Sequence, residues 1–109
     1  MGLAASHARL LMLVARKSDL ELQLQIIAQS RQQLSNVLLV LQSIAANLEP
    51  DSPQMQEWVA KVTAIQALDK SLELQSTRMQ LQQKLVSDEV ETVKKVQDKA
   101  AEMAMKYIA

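Results

Sequence analysis

Both prolines of this chain fall in one tetrapeptide near its middle, Pro50-Asp51-Ser52-Pro53, and its single glycine is Gly2. Proline removes an amide donor and clashes with the preceding helical turn. Glycine costs about 1 kcal/mol inside a helix. Residues 3–48 and 54–108 therefore lack the two residues that most often interrupt helices. The pattern predicts an all-α protein, a long two-helix antiparallel hairpin. Helix 3–48, turn 49–53 and helix 54–108 would form a single domain over residues 1–109. A two-helix hairpin gives each helix only one neighbour, so its function is expected to lie in what it packs against.

Composition narrows the function classes. Ala, Leu, Gln, Lys, Glu and Met are good helix formers and dominate the chain. The aromatics are Trp58 and Tyr107, a poor supply for a compact enzyme core. Formal net charge is zero, which implies no overall attraction to nucleic acid or to an anionic membrane. There is no cysteine, and His7 is the sole histidine, so neither a thiolate site nor a two-histidine metal site can form within one chain. No Gly-rich phosphate loop, Glu-x-x-His pair or Gly-x-Ser-x-Gly elbow is present. The expectation is a protein that is not an enzyme and takes no cofactor.

The apolar runs, such as Val37 to Leu41, are far short of the ~20 residues that span a bilayer. Arg9 interrupts the first apolar region and no basic segment precedes it, so no cleavable secretory signal is expected. Met1-Gly2-Leu3-Ala4-Ala5-Ser6 matches the N-myristoylation pattern, but small residues there also suit close helix packing. Membrane contact is not expected.

Along the chain, Ser18-Asp19-Leu20-Glu21 has the form of a capping box and suggests a kink or fresh helix start near Ser18. The alternative is an uninterrupted helix with an exposed serine. Residues 22–48 carry one charge, Arg31, which should meet a carboxylate, a carbonyl or water. Around Val37 to Leu41 apolar residues cover most of the helix circumference. A helix that is apolar all round must be buried all round. Leu34, Val37, Leu38, Leu41 and Ile44 are therefore candidates for contacts between subunits.

In the turn, Asp51 or Ser52 can cap the second helix, with Pro53 in its first turn. Asp51 with Gln54 fits a capping box. The second helix shows a seam at Met55, Trp58, Val62, Ile65, Leu68 and Leu72, continued by Met79, Val86, Val90, Val93, Ala100, Met103 and Tyr107. Residues past about 99 would overhang the first helix, yet they stay apolar up to Ile108. Val93, Val96, Met103, Tyr107 and Ile108 are thus further subunit-interface candidates.

Two helices joined by Pro50-Asp51-Ser52-Pro53 resemble the needle subunits of type III secretion systems, small helical hairpins with a Pro-x-x-Pro turn. The end is also similar: Glu91-Thr92-Val93-Lys94-Lys95-Val96-Gln97-Asp98-Lys99-Ala100-Ala101, then an apolar terminus with Tyr107-Ile108. Both helices are longer than in familiar needle subunits, and the N-terminal half shows no clear match. Flagellar-type axial proteins share the same logic of terminal helices packed in a tube.

The resemblance implies a structural homopolymer, a hollow secretion-related filament outside the cell. Copies of the chain would be the main partners, with secretion-apparatus proteins and unfolded cargo beside them. Export would use no cleavable signal. The alternative is a soluble dimeric four-helix-bundle adaptor or export chaperone.

Overall fold

The computed structural model describes residues 2–108. The chain is an all-α antiparallel hairpin of two helices, α1 (Leu3–Ala45) and α2 (Pro53–Ile108), with no strand among the described residues. Helix α1 passes through Ser18 without a break, so the capping box there is not used. Asp19 instead accepts a hydrogen bond from the Gln23 side-chain amide one turn on, at 2.9 Å.

Helix α1 stops three residues before the expected boundary and the turn covers 46–52. Proline disfavours the α region for the residue before it, which takes Glu49 out of the helix. Asn47 N–H and Leu48 N–H donate to the carbonyls of Ile44 and Ala45, at 3.0 and 3.2 Å, and tighten the last turn. The Trp58 indole N–H donates to the Leu41 carbonyl in that same last turn.

The four residues Glu49-Pro50-Asp51-Ser52 form a β-turn closed by Ser52 N–H to Glu49 C=O at 3.3 Å. Asp51 holds φ at 60° after Pro50, the pattern of a type II turn. Of the two candidate caps the structure uses Ser52. Its Oγ accepts from Met55 N–H at 3.1 Å and donates to the Glu49 carbonyl at 2.8 Å. Pro53 then opens α2 where a missing N–H costs nothing. The Asp51–Gln54 box does not form, because Asp51 is committed to the turn.

Contacts group the described residues into two compact units. One joins the residues up to Gln23 to those from Met79 onward, and the other is Leu24–Arg78. In the first, Leu20, Val86 and Val90 form the buried cluster, flanked by Leu10, Leu13 and Met79. Arg9 meets Glu89 and Glu21 meets Gln83, so the two segments run antiparallel.

In the second unit the α2 seam is Met55, Trp58, Val62, Ile65, Asp69 and Leu72, each half-buried. Its steps alternate strictly between three and four, which is coiled-coil spacing. That alternation corrects the expected seam: Leu68 points out, 51% exposed, and Asp69 takes its place. Both residues lie within a helical step of Ile65 and Leu72, so apolarity favoured the wrong one.

Candidate functional site

The interface candidates on α1 divide into two sets. Leu34, Leu38 and Leu41 are half-buried on the side that meets α2. Val37 and Ile44 are exposed, together with Leu39 and Val40, the last at 60%. Ser35, Asn36, Gln42 and Ser43 are exposed polar residues on the same outer side, around Leu39. Residues seven apart return to one side of a helix, so Asn36 and Ser43 reinforce each other and sequence runs conceal them. Leu38 serves the hairpin itself, and an acid there would damage the fold. Val40 is the position whose substitution reads the outer face alone.

Arg31 meets a carboxylate. Its Nε and Nη2 donate to the two oxygens of Asp69 at 2.9 and 3.3 Å, a two-pronged pair at seam positions of both helices. Both side chains keep roughly a third of their surface in water. The hydrogen bond from Arg31, aided by its charge and opposed by desolvation, holds the Asp69 carboxyl below the usual carboxylate range. The same hydrogen bond raises Arg31. The pair sits at a seam position where an apolar residue would otherwise pack.

A carboxyl whose folded pKa is depressed contributes stability above its unfolded pKa of about 3.9 and loses it as pH falls through the folded value. Asp69→Asn should therefore melt below the native protein at pH 7. The gap between the two melting temperatures should close as pH drops below 4. A gap that is constant across this range, read by thermal circular dichroism, would show that the charge pair adds nothing.

On α2 the candidates also divide. Val93 is 8% exposed and lies within its own hairpin, which leaves little for a neighbouring subunit. Val96 is about half exposed. Met103, Met105, Tyr107 and Ile108 are exposed, Tyr107 at 88%. The start of α1, at Leu3, Ala4 and His7, lies beside Gln97, Asp98 and Ala101. Past Ala101 every described residue of α2 is exposed.

Just before this segment, Ser6 and Arg9 of α1 and Leu85, Glu89, Thr92 and Val96 of α2 line an open groove of about 360 Å³. Arg9 Nη2 lies 3.8 Å from Glu89 Oε2 across it. Both groups are half in water, so the pair contributes at most about 1 kcal/mol.

Among the described residues no helix is long and apolar enough to cross a membrane, and no group of three potential metal ligands occurs. No protein-family model, curated protein or solved structure matches the chain.

Proposed function

We propose that this chain is a self-assembling structural subunit of a hollow, secretion-related filament outside the cell. The reading includes no catalytic role and no cofactor. The observation that supports it is the pair of exposed apolar surfaces: Val37, Leu39, Val40 and Ile44 on α1, and Met103, Met105, Tyr107 and Ile108 on α2. Each such side chain contributes about 1.5–3 kcal/mol when fully covered, before the cost of ordering. The Pro-x-x-Pro turn and the Val-Lys-rich end supply the link to type III secretion needles. Partners on this reading are further copies, the secretion apparatus and unfolded cargo.

One observation favours a second reading, a dimeric four-helix-bundle adaptor or export chaperone. Such a bundle leaves one polar side on every helix, and the exposed Ser35, Asn36, Gln42 and Ser43 provide one on α1. Negative-stain microscopy of the purified protein separates the two. Filaments are the expected result. A single defined dimer by sedimentation, with no filaments at any concentration, would transfer the assignment to the bundle.

A further inference from the structure

Leu85, Glu89, Val96, Lys99, Met103 and Lys106 share one exposed face of α2, at spacings built from three and four. The face is apolar at Leu85, Val96 and Met103, each about half exposed. Its charges are sorted. Glu89, with Asp88 beside it, lies in the first half, and Lys99 and Lys106 lie in the second. The groove described above occupies the first half, and the exposed apolar end of α2 occupies the second.

We infer that two copies of this chain pair through this face of α2, antiparallel, about a two-fold axis at Val96. The inference rests on the self-association proposed above and adds the orientation of the partner. Helix α2 is unbroken to Ile108, so a chain cannot fold its own end back onto its own groove. Any occupant of the groove must come from another chain, and the sorted charges of this face suit the end of a second copy.

Charge decides the orientation. With Val96 at the axis, Glu89 lies opposite the partner's Met103, one turn from each of the lysines at 99 and 106. Leu85 lies opposite Tyr107. A parallel pair in register would set Glu89 on Glu89 and lysine on lysine, which is repulsive. A parallel pair shifted by two heptads would match charge but engage only half of each face. The antiparallel pair engages both halves of both chains in one isologous contact. The existing Arg9–Glu89 contact is long and exposed, so Glu89 can exchange it for a lysine of the partner.

The chain has no cysteine, which makes disulfide trapping clean. Three single variants are compared under mild oxidation: Glu89→Cys, Val96→Cys and Met103→Cys. Bridging requires Cα atoms within about 7 Å. Across an antiparallel pair, two copies of residue 89 or two of residue 103 are about 21 Å apart, since α-helix rises 1.5 Å per residue. Val96→Cys should therefore convert to covalent dimer by itself. Glu89→Cys and Met103→Cys should each stay monomeric alone and form heterodimer when mixed. Circular dichroism checks that each variant retains its helix.

Self-bridging by all three variants would mean a parallel pair and would overturn the inference. So would heterodimer from the mixture without self-bridging at Val96, or no bridging at all. Microscopy of the same samples keeps the two claims apart. The expected bridging pattern without filaments would remove the filament reading and leave the pairing. Filaments without the pattern would remove the pairing alone.

Discussion

Leu20→Ala is expected to cost the hairpin about 2–5 kcal/mol, the usual range for truncating a buried leucine. Leu20 is 5% exposed and packs with Val86 and Val90, while Leu10, Leu13 and Met79 close the cluster. A hairpin seam is one layer thick, and water reaches the vacated space more readily than in a globular core. The lower half of that range is therefore the expectation. Even so, it is a large share of the roughly 5–15 kcal/mol that holds a typical domain together. Leu22 is the control. It lies two residues away on the same helix but is about half exposed. Leu22→Ala should stay within about 0.5 kcal/mol, as surface substitutions do. Urea denaturation followed at the helical circular dichroism band, at concentrations too dilute for association, reads both. Equal losses at the two positions would mean that the seam does not face where the structure places it.

The contrast between Leu20 and Leu22 also marks the limit of what the sequence discloses. The hairpin was legible because its signals are local and categorical. Pro50 and Pro53 can be accommodated in few places, and the absence of glycine between residues 3 and 108 leaves nothing else to end a helix. Boundaries were less legible. Helix α1 ends at Ala45 in a turn shaped by Pro50 and by an indole thirteen residues beyond that end, and a tertiary hydrogen bond leaves no local trace. Ser18 and Glu21 satisfied a capping pattern that an uninterrupted helix does not need.

The candidate surfaces were half legible. Apolar residues need cover, but their identity does not say whether the cover is the hairpin or another chain. Leu34, Leu38, Leu41 and Val93 turn toward the hairpin, while Val37, Ile44 and Met103 do not. Asp69 was missed for a related reason. A carboxylate at a seam position contradicts the apolar pattern unless its partner is known. The available signal was Arg31, the lone charge of residues 22–48, which required a counter-charge from the other helix.

Deleting residues 103–109 should abolish assembly while leaving most of the helix in place. The deleted segment carries Met103, Met105, Tyr107 and Ile108, all exposed and none in the buried cluster of the hairpin. Its loss removes no core contact, so the helical circular dichroism should fall only in proportion to the residues removed. Assembly is different. Covering four such side chains contributes on the order of several kcal/mol per subunit, and each 1.4 kcal/mol is a factor of ten in association. A loss of that size raises the concentration needed for assembly by orders of magnitude. Val40→Asp tests the other surface independently. It places a carboxylate at the centre of the exposed patch on α1, without touching the half-buried Leu38 and Leu41. Burying an unpaired carboxylate costs several kcal/mol or holds the contact open. If the patch is a contact, Val40→Asp should block growth and leave the pairing through α2 intact. Filaments of normal length from the chain lacking 103–109 would remove the end of α2 from the contacts between subunits. A dimer untouched by that deletion would move the contact to α1 and leave the four-helix bundle as the better account.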